Sequence, residues 1–257
     1  MITSSSNKQI KYIAQLNKKA KVRNEDGVFL VEGWKMFVEA PRDWILSVFL
    51  SESFYLAHED HPLLEGISVQ VVEDRVFKSI SDTQTPQGIL CVMKQPSYQL
   101  EDLLNQKNPL LMVLENLQDP GNLGTILRTG EGAGVDGMIL SRHTVDIFNP
   151  KVIRSTMGSI YRMPFIYADI IETVLPVLKE KGIKTYAAHL KGKAFYDEYS
   201  YIEGTAFFIG NEGNGLSDEV ARCADTYIKI PMHGQVESLN AAVASSIFMY
   251  EACRQRR

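Results

Sequence analysis

Ile230-Pro231-Met232-His233-Gly234-Gln235-Val236-Glu237-Ser238-Leu239-Asn240-Ala241-Ala242-Val243-Ala244 holds a strand end, a tight polar loop and a helix start in fifteen residues. Two upstream segments have the same character. They are Asn116-Leu117-Gln118-Asp119-Pro120-Gly121-Asn122-Leu123-Gly124-Thr125-Ile126-Leu127-Arg128-Thr129 and Gly210-Asn211-Glu212-Gly213-Asn214-Gly215-Leu216. Each follows an apolar run and precedes a helical pattern. Three polar, glycine-rich loops leaving strand ends point to one ligand site, because α/β sheets bind ligands outside the carboxyl ends of their strands.

Working outward from these loops, short apolar runs recur at 110–114, 137–140, 184–188, 206–209 and 227–230. Helical patterns separate them at about 122–133, 149–159, 170–181, 215–224 and 238–254. This alternation predicts an α/β domain over 107–257, built on a mostly parallel sheet with helices on both faces. Residues 1–95 read as a smaller α/β domain. It has a polar helix over about 4–21 and strands near 28–31, 45–50, 69–72 and 89–92. Proline and small polar residues at Gln95-Pro96-Ser97-Tyr98 mark a linker over 96–106, which includes a short helix from about 100.

With 257 residues and 45% hydrophobic composition, the chain can bury a real core. No apolar run approaches the ~20 residues of a membrane span, and no segment reads as a signal peptide. Cys91, Cys223 and Cys253 are few and far apart, and the five histidines are scattered. These features predict a cytoplasmic protein with reduced thiols, no metal site and no membrane partner. The net charge of −4 argues against a broad nucleic-acid-coating surface. The segment 8–23 is nonetheless locally basic, with Lys18, Lys19, Lys21 and Arg23 at its end, and the C-terminus adds Arg254, Arg256 and Arg257. Such patches steer anionic polymers, although from charge alone a solvated helix face and a frayed tail are the favoured explanation.

A dinucleotide-binding oxidoreductase is the first rival. Its fingerprint needs glycines on the first strand-to-helix turn. Gly130-Glu131-Gly132-Ala133-Gly134 instead reads as a helix end, and Gly210–Gly215 carries a glutamate, a poor neighbour for pyrophosphate. The loops suit a flat heterocycle better, since bare glycines let backbone groups approach it. Asn122, Ser238 and Asn240 supply short neutral donors and acceptors. Glu212 suits a donor or a cation, and Arg128 is a fork suited to phosphate. For Asn122 and Ser238 a plain helix N-cap remains the competing explanation.

The three long segments resemble the signature motifs of the SpoU family, the RNA ribose 2′-O-methyltransferases of the SPOUT superfamily. Asn149-Pro150-Lys151-Val152-Ile153-Arg154-Ser155-Thr156-Met157-Gly158 resembles the segment between the first two motifs. Ser81-Asp82-Thr83-Gln84-Thr85-Pro86-Gln87-Gly88-Ile89 is similar to the usual ending of a ribosomal-protein-like RNA-binding domain. The resemblance implies a deep trefoil knot, against general topology rules, together with a homodimer and bound S-adenosyl-L-methionine. It implies an RNA partner, with ribosomal RNA favoured over transfer RNA by analogy.

By the same resemblance Arg128, Asn122, Glu212, Ser238 and Asn240 form the catalytic set. Arg128 reaches ribose and phosphate from the partner subunit. A guanidinium is a poor base, so orienting phosphate and stabilising developing alkoxide is its expected role. Ala188, Gly210, Asn211, Gly213, Ile230, Met232 and Leu239 are the expected cofactor-binding residues. Lys18, Lys19, Lys21, Arg23, Lys151 and Arg154 are the expected RNA contacts, with Tyr161 and Arg162 divided between RNA and structural roles. In the last helix, Leu239, Ala242, Val243, Ile247 and Tyr250 form an apolar stripe, and Ala241, Ala244 and Ser245 a small-residue face open to another helix. A non-catalytic RNA-binding or assembly protein of the same fold is the other alternative, and the intact polar set weighs against it.

Overall fold

Short apolar runs, most of them buried, set the framework of both halves of the chain. In the computed structural model, which describes residues 1–257, one unit comprises 1–96 with 146–161. The other comprises 97–145 with 162–257. No helix is long and apolar enough to cross a membrane.

In the first unit, β1 (Val28–Glu32), β2 (Ile45–Ser51), β3 (Val69–Val72) and β4 (Ile89–Lys94) form a sheet in the order β1-β4-β2-β3. β4 runs antiparallel to β1 and β2, whereas β2 and β3 are parallel. The helix expected over 4–21 is two helices, α1 (Lys8–Lys18) and α2 (Ala20–Asp26), because Lys19 takes extended backbone at φ −121°. Ile10, Ile13 and Leu16, at i, i+3 and i+6, bury the inner face of α1. The short helices α3 (Trp34–Glu39), α4 (Glu52–His58) and α5 (Asp74–Ile80) follow β1, β2 and β3.

Residues 146–161 belong to this unit for identifiable reasons. The buried guanidinium of Arg23 pairs with Asp146 at 2.5 Å and also donates to the carbonyl of Leu16. Phe148 packs on Phe29 with ring centroids 4.9 Å apart, and Tyr161 donates its hydroxyl to the carbonyl of Met36 at 2.9 Å. Between these anchors lies a helix shorter than the expected 149–159. Met157 ends it in left-handed backbone at φ 51°.

The second unit carries a seven-stranded sheet in which every pairing is parallel. Its strands are β5 (Leu110–Leu114), β6 (Gly137–Leu140), β7 (Phe165–Tyr167), β8 (Lys184–Ala188), β9 (Ala194–Phe195), β10 (Thr205–Ile209) and β11 (Thr226–Lys229), in the order β7-β6-β5-β10-β8-β11-β9. The five expected strands are present, and the short edge strands β7 and β9 are additional. At two and three residues they are too brief to show a period. β5 and β10 are buried along their whole length, as expected for a sheet covered on both faces.

Helices α6 (Pro120–Ala133), α7 (Pro150–Thr156), α8 (Leu175–Glu180), α9 (Asp218–Cys223) and α10 (Ala241–Gln255) complete the chain, α7 lying in the first unit. Gly134, left-handed at φ 77°, closes α6, so Gly130–Gly134 is a helix end as read. The segment over 100–104 packs into the second core through Leu100, Leu103 and Leu104. Leu103 lies over Gly137, where an added Cβ would come within 2.3 Å of it. The short helix expected in the connection is thus anchored by hydrophobic packing.

The C-terminus is tied down rather than frayed. Arg256 donates to the carbonyls of Tyr201, Asn108 and Glu203, while Arg254 pairs with Glu251.

Candidate functional site

The order of the second sheet sets the ends of β5, β10, β8 and β11 side by side, and the three polar loops leave from β5, β10 and β11. Side chains stitch the first two loops together. Glu115, buried at the end of β5, accepts from the N–H and hydroxyl of Ser217, both at 2.7 Å. Asn211 donates its amide to the carbonyl of Asn116 at 2.8 Å. Asn116 holds a left-handed backbone at φ 54°, an uncommon conformation for a side-chain-bearing residue.

Glu212 is the hub. Its carboxylate accepts from the backbone N–H groups of Gln118 at 3.1 Å and Asp119 at 3.0 Å, and from the amide of Asn122 at 3.0 Å. Asn122 in turn accepts from the amide of Asn240 at 3.0 Å. One hydrogen-bonded chain, Asn240 to Asn122 to Glu212, thus joins all three loops. Partial burial works against the charge on Glu212, but the hydrogen bonds from Asn122 and from the backbone outweigh it. Its carboxyl is held below the ordinary glutamate range. An ionised carboxylate with three donors on it is a fixed anchor and a weak proton acceptor.

The helix caps fall on other residues than expected. Asp119 caps α6, accepting from the N–H of Asn122 at 2.8 Å with Pro120 at the first helical position. Asn240 caps α10, accepting from the N–H groups of Ala242 and Val243. Neither Asn122 nor Ser238 is a cap. Asn122 is left to link Asn240 with Glu212, and Ser238 faces the cavity. The signal for the first cap was present in Asp-Pro-Gly, where proline follows a capping residue.

A cavity of about 420 Å³ lies among the ends of β8, β10 and β11, within the usual range for small-ligand sites of ~300–1,000 Å³. Ala188, Gly210, Asn211, Gly213, Ile230, Met232 and Leu239 all line it, as do Glu212 and Ser238. Gly210 is there of necessity, since an added Cβ would come within 2.0 Å of backbone atoms of Gly215 and Leu216. The 211–215 loop closes on itself through two backbone hydrogen bonds between Asn211 and Gly215. Sequence reasoning assigned no binding role to His189, Leu190, Lys191 and Glu237, which also line it. The first three follow β8, whose loop carries one glycine, Gly192, but no motif pattern to draw notice.

Arg128 stands apart. It is exposed on α6, its side chain makes no hydrogen bond or ion pair, and it does not line the cavity of its own chain. On α10 the residues turned inward are Ala241, Ala242, Ser245, Phe248, Met249 and Ala252. Ala241 and Ser245 of the small-residue face are therefore spent inside the subunit. Val243 and Tyr250 remain about half exposed.

The expected RNA contacts divide. Lys18, Lys19, Lys21 and Lys151 are exposed, and Arg154 is exposed beside Asp82 at 2.6 Å. Arg23 is withdrawn from the set, because it is buried and its fork is committed to Asp146 and Leu16. Tyr161 is likewise a core residue, and Arg162 pairs with Glu131.

Comparison with known proteins finds related families for both parts of the chain. The model of the SpoU rRNA Methylase family matches residues 109–250, over half of the chain, and that of the MRM3-like substrate binding domain matches residues 7–91. A Bacillus subtilis (strain 168) protein described as 23S rRNA (guanosine(2553)-2′-O)-methyltransferase RlmP is 34% identical over 250 residues, covering 97% of each chain. The human protein rRNA methyltransferase 3, mitochondrial, is 30% identical over 292 residues, covering 91% of this chain and 69% of its own. The crystal structure of an AdoMet-bound rRNA methyltransferase from Sinorhizobium meliloti superposes with a TM-score of 0.88 at 32% identity, covering 98% of this chain and 97% of that one.

Proposed function

The chain belongs to the SpoU rRNA Methylase family, and from that premise we propose that it methylates a ribose 2′-hydroxyl of ribosomal RNA as a cytoplasmic homodimer. It is an S-adenosylmethionine-dependent RNA ribose 2′-O-methyltransferase with a SPOUT-type α/β domain. The hydrogen-bonded chain from Asn240 through Asn122 to Glu212, at the rim of the cavity, carries this reading.

The cavity fits the cofactor. Its lining includes the uncharged residues Ala188, Gly210, Ile230 and Leu239, which suits a flat purine, and the acidic residues Glu212 and Glu237, which suit a cationic ligand. Bound there, S-adenosylmethionine supplies a methyl group on a sulfonium, already a good leaving group. The protein must align the ribose hydroxyl and assist loss of its proton. Glu212 holds the first loop, Asn122 transmits that position to Asn240, and Asn240 fixes the start of α10 beside the cavity. Ser238, without an intramolecular partner, is free to meet the ribose or the cofactor.

Arg128 orients the phosphate of the target nucleotide and stabilises developing alkoxide. Its absence from its own cavity supports a shared site in which it serves the partner subunit. The exposed Val243 and Tyr250 on α10 supply apolar surface for that dimer. Residues 1–95 extend the RNA contact through Lys18, Lys19 and Lys21, with 107–257 as the catalytic domain. The resemblance of the three motifs to the family supports a trefoil knot where the second and third motifs meet.

Large-subunit RNA is the first substrate to examine, given the described activity of the Bacillus subtilis relative. Mapping 2′-O-methyl positions in ribosomal RNA from cells with and without the protein tests the proposal. A position lost with the gene and restored by the purified protein supports it. Calorimetry with S-adenosylmethionine against NAD tests the cofactor, and NAD binding alone would overturn the reading.

A further inference from the structure

The loop after β6 is braced far more heavily than its exposure requires. Ser141-Arg142-His143-Thr144 is a β-turn closed by the N–H of Thr144 on the carbonyl of Ser141 at 3.0 Å. Its outer corners are buried and bonded. Ser141 exchanges hydrogen bonds with Asn116, accepting from the N–H at 2.8 Å and donating to the side-chain oxygen at 2.9 Å. Thr144 donates its hydroxyl to the carbonyl of Leu114 at 3.2 Å, and the next residue, Val145, donates its N–H to the carbonyl of Leu117 at 2.8 Å. The carbonyl of His143 accepts from the side-chain amide of Gln118 at 2.7 Å.

Gln118 makes the link to the site. Its backbone N–H lies on Glu212, while its side chain holds the backbone of His143. The turn therefore sits one glutamine side chain away from the carboxylate that organises the three loops. Arg142 and His143 occupy its two central positions. Both side chains are exposed, and neither makes a hydrogen bond, ion pair or ring contact. A rigid turn that presents an arginine fork and an imidazole, neither engaged within the chain, suits a ligand with anionic oxygens.

We infer that Arg142 and His143 grip the phosphodiester backbone of the RNA strand beside the target nucleotide, fixing its register over the cavity. The inference rests on the RNA methyltransferase reading above and extends it to residues outside the three motifs. Phosphate contacts of this kind set position and orientation without reading sequence. Because the turn is braced by backbone and by Ser141, Thr144 and Gln118, side chains at 142 and 143 can be removed without disturbing it.

The test uses the full-length protein, S-adenosylmethionine, and ribosomal RNA from cells lacking the protein. Arg142→Ala should raise KM for RNA about tenfold, leave kcat within about twofold, and lower the slope of log affinity against log salt by about one. Arg142→Lys should retain the salt slope, and His143→Ala should raise KM by a smaller factor. Cofactor affinity and melting temperature should match the parent in all three. Parental transfer with unchanged KM and salt slope in Arg142→Ala overturns the inference alone. A lowered melting temperature or weakened cofactor binding in both position-142 variants also overturns it, by showing a structural role. Cofactor binding with no methyl transfer to ribosomal RNA by the parent protein overturns the functional reading and this inference with it.

Discussion

Replacing Glu212 by glutamine tests whether one carboxylate organises the site. The change is nearly isosteric, so its effect falls on hydrogen bonding. The carboxylate accepts three donors, two on one oxygen (Asp119 N–H and Asn122 amide) and one on the other (Gln118 N–H). A glutamine can keep its oxygen toward the first pair only by turning its amino group toward the Gln118 N–H, donor against donor. One hydrogen bond is lost, and the remaining two lose their charge assistance. In a buried site this would cost about 2–4 kcal/mol. Glu212 is largely solvent-accessible, so water compensates part, and we expect about 1–2 kcal/mol. For a domain of this size that lowers Tm by roughly 2–8 °C.

The pH dependence of the gap is a sharper test. The folded-state pKa of Glu212 lies below its ordinary value of 4.5. Its stabilising contribution is therefore complete above that value and is lost as pH falls through the folded pKa. The difference in Tm between parent and variant should be full at pH 7 and shrink progressively as pH falls below 4.5. Scanning calorimetry across pH 3–7 would measure it, with isothermal titration at pH 7 expected to show S-adenosylmethionine bound about tenfold more weakly. An equal Tm at pH 7, or a gap that persists unchanged in acid, would refute the anchoring role.

Arg128→Ala should abolish methyl transfer while leaving Tm and cofactor affinity close to the parent, the loss representing several kcal/mol of transition-state stabilisation. Asn240→Ala should also be inactive, and co-expressed heterodimers of the two variants should regain part of the activity. Confirmed heterodimers without recovery would place each site within one chain. Gly210→Ala forces a Cβ within 2.0 Å of the 215–216 backbone. It should displace the second loop and remove measurable cofactor binding, and normal affinity would contradict the close approach. Neutralising Lys18, Lys19 and Lys21 together should weaken RNA binding and flatten its salt dependence without touching cofactor binding. Arg23→Ala should instead destabilise the fold by about 3 kcal/mol in urea titration, because it strands the largely buried Asp146. A stable Arg23→Ala protein with reduced RNA affinity would reverse that assignment.

Most of the sheet was legible because its strands are continuous apolar runs between glycine and proline, and such runs have few alternatives to burial. Leu110–Leu114 and Gly137–Leu140 match to the residue. Periodicity failed where elements were too short to display it, as at Phe165–Tyr167 and Ala194–Phe195, and where the backbone broke a continuous helical pattern at Lys19. The extent of a unit was also beyond its reach. Residues 146–161 follow β6 in the chain but are held by Arg23, Phe29 and Met36, partners over a hundred positions away.

The same division runs through the site. Residue types and spacing were enough to single out Asn122, Glu212, Ser238 and Asn240, since short polar side chains on glycine-rich loops after strands have a limited chemical repertoire. Which of them cap helices and which bridge loops was decided by folding. Asp119 and Asn240 take the caps, and that leaves Asn122 to link Asn240 with Glu212. A cap is a local bond between neighbours and can be guessed from a pattern. A bridge between loops ninety residues apart depends on strand order, because only the placement of β10 beside β5 brings Glu212 to Asn122. Charge misled for the same reason. Arg23 is one cation among several in the sequence, and only the tertiary structure turns it away from solvent onto Asp146.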